Sequence, residues 1–282
     1  MSKNEPLEKI VQKLIINGTL TDQSGLFYGK TGVAVFFFHY ARLTGNELYQ
    51  DYAMELLETI QNQITVTISM RYDIGLAGIG VGLEYLLQNV FLEANDDIFD
   101  EFDAKMYRTA MYEPYPDFSL EGGLAGWGRY FVYRLRGNGR KDSKLHEAMA
   151  HIADEISQRI VENSIPENEQ PDVFRFLHDL TLLPEYAAKY DNLLKNCKEW
   201  KCIRELDVQT IFPYMSALQR LYSCQNYFNI DLTEEIGKEW TKWKETDKES
   251  LTDMGFLKGW TTEGLLHLVC FNRQNDSWIN LL

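Results

Sequence analysis

Two carboxylates stand in matching places along the chain. Asp73 and Glu121 each lie two residues before the first glycine of a Gly-x-x-Gly phrase, Gly75-Leu-Ala-Gly78 and Gly123-Leu-Ala-Gly126. A pair of carboxyl groups at one site can divide acid and base work between a protonated donor and an ionised acceptor. The same places suit helix capping, because the first N–H groups of a helix lack partners and carry partial positive charge. The sequence leaves both readings open. Other constellations fail on spacing. His146 and His151 imitate the zinc-protease pair, but at five residues apart their imidazoles point about 140° apart around a helix. Cys197 and Cys202 sit too far round one helix to share a metal and have no His pair beside them, so they read as buried free thiols. Gly78-Ile-Gly80-Val-Gly82 follows a strand-like run, Ile64 to Met70, yet its third glycine is misplaced for dinucleotide binding and no strand–helix alternation surrounds it. No cofactor and no metal is expected.

The elements that must position such groups are announced by the glycines. The phrase recurs as Gly29-Lys-Thr-Gly32, Gly75-Leu-Ala-Gly78, Gly123-Leu-Ala-Gly126 and Gly259-Trp-Thr-Thr262, the first three at spacings of 46 and 48 residues. Two degenerate copies fall between the last two, one opening near Asp172 and one at Pro213-Tyr-Met-Ser216. Six units of about 47 residues then fill the chain. After each phrase comes an apolar stretch, a polar break and an amphipathic charged stretch, as in Glu47 to Ile60 and Ser143 to Val161. Each unit therefore holds one buried helix, apolar all round, and one half-exposed helix, with Pro6 to Asn17 as the outer partner that precedes the first phrase. Paired glycines at the start of buried helices let backbones converge. The reading is an all-α single domain over residues 1–282, a double-layered (α/α)6 toroid, with an open solenoid of the same hairpins as the alternative.

In such a ring the helix starts surround one mouth. The residues that would line it are Tyr28, Lys30, Asp73, Glu121, Trp127, Lys258, Trp260 and Glu263. Trp127 and Trp260 would either stack on a substrate or fill the hole.

Composition narrows the partners. Hydrophobic residues make up 45% and charged residues 25%, and the formal net charge is −14. A surface that acidic repels phosphate backbones and anionic lipid heads, so neither nucleic acid nor membrane is an expected partner. Four cysteines, too few and too clustered for a disulfide framework, and a charged start without an apolar signal core point to a reducing, cytoplasmic setting.

The phrase Gly75-Leu-Ala-Gly78-Ile-Gly-Val-Gly-Leu-Glu-Tyr-Leu resembles the repeats of the lanthionine synthetase C-like family, the lantibiotic cyclases. Gly29-Lys-Thr-Gly32-Val-Ala and Gly123-Leu-Ala-Gly126-Trp-Gly agree with it. The resemblance implies an α-toroid and a peptide substrate, in which a zinc-bound cysteine thiolate adds to a dehydrated Ser or Thr. It covers most of the chain and is weak between 165 and 250. Family members have seven inner helices where six are counted here. The zinc-ligand positions fall on Ile211 and Leu257-Lys258, or, one unit earlier, near Gln170 and Pro171; none supplies a thiolate or imidazole. Three readings follow. The first is a cyclase-like protein without zinc that binds or helps to mature a modified peptide, beside peptide-modifying enzymes. The second is a glycan-active (α/α)6 hydrolase using Asp73 and Glu121. The third is an interaction scaffold with a plugged centre.

Overall fold

Every regular element among the described residues is helical, as a computed structural model of the chain shows. The structure describes residues 5–64, 68–137, 141–246, 251, 253–272 and 276–282. The central part of the strand-like run, residues 65–67, lies outside them. The chain divides into two compact units, Ile68–Asp207 and the combination of Met1–Thr67 with Val208–Leu282.

The first of these holds α4 (Leu76–Gln88), α5 (Asp100–Tyr112), α6 (Leu124–Arg136), α7 (Ser143–Val161), α8 (Gln170–Thr181), α9 (Pro184–Cys197) and the short α10 (Lys201–Arg204). The helices alternate in kind: α4, α6 and α8 are buried along most of their length, whereas α5, α7 and α9 bury one stripe. Buried helices pack on one another, α4 on α6 and α6 on α8, and each half-exposed helix packs on a buried one. Tyr107 on α5 donates to Glu147, and Tyr115, three residues past the end of α5, donates to Glu155, so α5 and the chain that leaves it run along α7 in the same direction.

The second unit holds α1 (Glu5–Gly18), α2 (Lys30–Thr44), α3 (Glu47–Gln63), α11 (Ala217–Phe228), α12 (Thr233–Glu245) and α13 (Trp260–Asn272). Here α2 pairs with α3, α11 with α12 and α1 with α13. The helix α13 also packs on α2, so the last glycine-led helix lies beside the first. Gly45 closes α2 in the left-handed region at φ 65°, where its N–H donates to Ala41 O.

The glycine phrases explain themselves at the joint between loop and helix. The residue after each leading glycine donates its N–H to the carbonyl seven residues earlier: Lys30 to Gln23 at 2.9 Å, Leu76 to Ser69 at 2.8 Å, Leu124 to Asp117 at 3.0 Å and Trp260 to Asp253 at 2.9 Å. These are N–H groups that a helix start leaves without an intrahelical partner. The loop that supplies the acceptor folds tightly back on the first turn. A Cβ on Gly29 would lie 2.5 Å from Gln23 O, and Gly75, Gly123 and Gly259 face the equivalent obstruction. The second glycine meets its own loop too, since a Cβ on Gly32 would lie 2.5 Å from Leu26 O and one on Gly126 would strike Leu120 O. Converging helix axes are therefore not the first reason for the doublet. Each helix start is narrowed to admit its own preceding loop.

A further glycine, five residues after the leading one, receives a ring from the neighbouring helix. Gly80 faces Tyr130, Gly128 faces Phe176 and Gly264 faces Phe36. Tyr130 and Phe36 each sit seven residues after their own leading glycine, so α13 meets α2 as α4 meets α6.

The buried helices are not apolar all round, contrary to expectation. Arg129, Arg134 and Arg175 are each 1% exposed. Arg134 donates to Glu84 at 2.7 Å and to Asp103 at 2.8 Å, its guanidinium lies 3.8 Å from the Phe99 ring centre, and Tyr130 donates to the same Asp103. Phe99 and Phe102 turn inward, and Asp103 is drawn in with them as an ion-pair partner. The degenerate copies also differ in register. In α11 the Ser216 side chain caps the helix and Gln219 reaches back in a capping box, so the helix begins at Ala217 without any glycine doublet.

The joint predicts opposite outcomes for two alanine substitutions. Gly126→Ala places a Cβ against Leu120 O and Tyr72 Cβ and should cost about 1–3 kcal/mol in denaturant unfolding. Gly237→Ala, on the open face of α12 with nothing within 4 Å, should gain up to about 1 kcal/mol.

Candidate functional site

The loops before α4, α6 and α8 bring the two matched carboxylates together. Tyr72 and Asp73 both donate their backbone N–H to Glu121 O, at 2.8 and 3.3 Å. Phe256 donates to Phe27 O at 2.7 Å in the same way where α13 meets α2. Adjacent loops are thus stitched by equivalent bonds, and Asp73 and Glu121 are neighbours because their loops are.

Their side chains live differently. Asp73 is buried and held by Arg71 through a bidentate pair, Nε to Oδ1 at 2.8 Å and Nη2 to Oδ2 at 2.6 Å, and it also accepts from Ile74 N at 2.9 Å. Such planar, two-pronged pairs are among the stronger charge-assisted bonds. Glu121 is half-buried, and its carboxyl is pushed above the ordinary carboxylate value by burial and by the negative charge of Asp73, with Arg71 opposing. Neither carboxylate caps a helix: α4 and α6 start at Gly75 and Gly123 without a side-chain cap. Nor does Asp73 stand as an unengaged base, since Arg71 occupies both of its oxygens.

Three more acids bind the loop before α6, Asp117 from within it and Glu169 and Asp172 from the start of α8. Asp117 accepts from Ser119 N and Oγ, Glu169 Oε2 accepts from Phe118 N, and Asp172 Oδ2 accepts from Leu120 N, all at 2.6–2.9 Å. The signal for Asp117 was present. Ser69, Asp117 and Asp253 all stand six residues before a leading glycine, and each side chain accepts from the N–H two residues on. Glu169 and Asp172 carry no such signature. They supply by side chain the acceptors that a loop carbonyl supplies elsewhere, because α8 has no glycine-led loop.

The remaining nominated residues divide between structural and surface roles. Lys30 is buried, and its ammonium donates to Thr21 O and, at 3.4 Å, to Gln63 Oε1, while burial lowers its pKa. Trp260 is 6% exposed; its Nε1 donates to Leu251 O at 3.1 Å, and the Lys13 ammonium lies 3.9 Å from its ring centre. Lys258 is exposed and donates to Pro213 O at 2.8 Å, tying the loop before α13 to the one before α11. Tyr28 is 37% exposed and packs edge-on against Phe27. Glu263 is half-buried on the first turn of α13. Trp127, 5% exposed on α6, has no hydrogen-bond partner for its Nε1 among the described residues.

The family's zinc positions do not fit a metal. Ile211 and Leu257 are buried hydrocarbon, Lys258 is engaged with Pro213, and Gln170 donates to Ile165 O and accepts from Cys202 Sγ. Among the described residues no group of three His, Cys, Asp or Glu side chains is placed to hold a metal ion. Burial raises both cysteine thiols nearby, Cys197 to about 12. The Cys197 and Cys202 sulfurs are therefore poor sources of thiolate. Among the described residues, no helix is long and apolar enough to cross a membrane. Neither the family models nor the curated proteins gave a match to this chain.

Because the fold favours the protonated form of Glu121, the stability it allows is fully present below the ordinary value of 4.5 and declines as pH rises through the raised one. Glu121→Gln should therefore melt higher than the parent at pH 7. The difference should close below pH 4.5, and thermal unfolding across that range measures it.

Proposed function

We propose that this chain is a lanthionine-cyclase-like ring protein without a zinc site, which holds a peptide for modifying enzymes rather than closing thioether rings itself. The observation that carries the reading is the joint repeated before α2, α4, α6 and α13, with its N–H to carbonyl bond across seven residues. It gives the family-like phrase a common structural duty at four places in the chain. Two neighbour relations of the same form, α4 to α6 and α13 to α2, support a series of six hairpins that closes on itself. In a closed ring the loops before the buried helices would share one mouth, where Glu121 and Arg71 offer both signs of charge to a peptide backbone or side chain.

The loss of zinc-thiolate chemistry follows from the donor set, not from the fold. A thiolate nucleophile at neutral pH needs a metal or a positive neighbour to lower its pKa. Ile211 and Leu257 are buried hydrocarbon and the Lys258 ammonium is taken by Pro213 O, so none of the three ligates zinc. The hydrolase reading is weakened by the Arg71 clamp on Asp73, because a glycosidase pair needs both carboxylates available to substrate or water.

A peptide carrying one cysteine and one dehydrobutyrine tests both halves. With this protein and added zinc, thiol loss followed by alkylation and mass measurement should proceed no faster than in buffer, while anisotropy of the labelled peptide shows saturable binding. One zinc per chain in elemental analysis, or zinc-dependent thioether formation, would overturn the zinc-free assignment. Absence of saturable binding would overturn the peptide-holding assignment in favour of a scaffold.

A further inference from the structure

A cleft of about 380 Å³ opens between α11 and α12, lined by Val208, Ala217, Arg220, Leu221, Glu235 and Lys238 among others. Its α12 wall is a row of charged side chains, Glu235, Lys238, Glu239 and Lys242, at helical spacing. Most of that row is already neutralised: Lys242 pairs with Glu239 at 3.1 Å and Lys238 with Glu234 at 2.5 Å. Two charges are left over. Arg220 donates only to a neutral acceptor, the Gln209 carbonyl, and Glu235 has no ion-pair partner among the described residues.

Arg220 and Glu235 line one cleft and are not bonded to each other. Opposite charges that share a cavity without closing on one another leave room for a ligand carrying the complementary pair. Val208, Ala217 and Leu221 add apolar wall. The volume stands near the small end of ligand pockets, roughly 300–1,000 Å³. We infer that this cleft binds a small zwitterion with an apolar side chain, a free amino acid or a short peptide, its carboxylate on Arg220 and its ammonium on Glu235. A guanidinium suits the first contact because it can meet a carboxylate with two parallel bonds. The inference stands apart from the peptide-holding role proposed above, since it uses none of the glycine joints and neither Glu121 nor Arg71.

Leucine, leucinamide and N-acetylleucine separate the two charges. By calorimetry or ligand-observed NMR, leucine or the dipeptide leucyl-leucine should bind in the millimolar range or better, and each blocked form should lose at least tenfold. Arg220→Met should abolish the advantage of leucine over its amide, and Glu235→Gln its advantage over the acetylated form. Glu235 is exposed, so Glu235→Gln should melt with the parent in the absence of ligand; Arg220 is half-buried and holds the Gln209 carbonyl, so Arg220→Met is read by its preference between leucine and the amide, below its own melting temperature. Equal binding of all three compounds, or no binding of leucine and leucyl-leucine to the parent at 10 mM (roughly 2.7 kcal/mol at 25 °C), would overturn the assignment.

Discussion

One backbone hydrogen bond, made four times, organises the parts of this protein that can be read as a repeat. The first N–H of a buried helix meets the carbonyl seven residues before it. A buried helix start is otherwise a liability, because several N–H groups arrive in the interior without acceptors. Here the chain brings its own acceptor by folding the approach loop back on the first turn. The approach is so close that a side chain at any of the four leading glycines, or at Gly32 or Gly126, would strike the loop backbone. The glycines, the loop length and the polar residue six places before each doublet are consequences of that single contact.

Neighbour contacts follow from it. With each loop pinned to its own helix, the N–H of one loop meets the carbonyl of its neighbour, as in Tyr72 to Glu121 and Phe256 to Phe27. The glycine one turn further in then accepts an aromatic ring from the adjacent helix. Where the motif decays, side chains take over the same duties. Glu169 and Asp172 serve the loop before α6, and Gln219 donates to Phe256 O at 2.9 Å. The concentration of carboxylates beside Asp73 and Glu121 is thus largely an answer to backbone N–H groups. Its electrostatic consequence, the raised pKa of Glu121, is a by-product that a ligand could exploit.

The sequence was legible wherever a local rule dominated. Helical hairpins, the span of α7 from Ser143 to Val161 and the burial of the glycine-led helices all follow from periodicity and capping. What could not be read was long-range. Nothing in the spacing of Glu84, Asp103 and Arg134 says that they meet, and an arginine inside a buried helix looks like an exposed one until its partners are known. Asp73 reads as a helix cap or an acid–base group from its position alone, because nothing local shows that Arg71 closes on both of its oxygens. Lys30 and Trp260 fit a mouth by position, yet the structure gives their polar atoms to Thr21, Gln63 and Leu251. Glu169 and Asp172 were invisible for a different reason: they stand in for a motif that their unit lacks.

Amide hydrogen exchange at Lys30, Leu76, Leu124 and Trp260 tests the joint most directly. These are first-turn N–H groups, which in an ordinary helix exchange as fast as a frayed end. If the loop carbonyls hold them, all four should exchange as slowly as amides in the middle of α4 and α6. Exchange at the rate of the surrounding loops would show that the glycines narrow those helix starts for some other purpose, and the repeat would lose its physical basis.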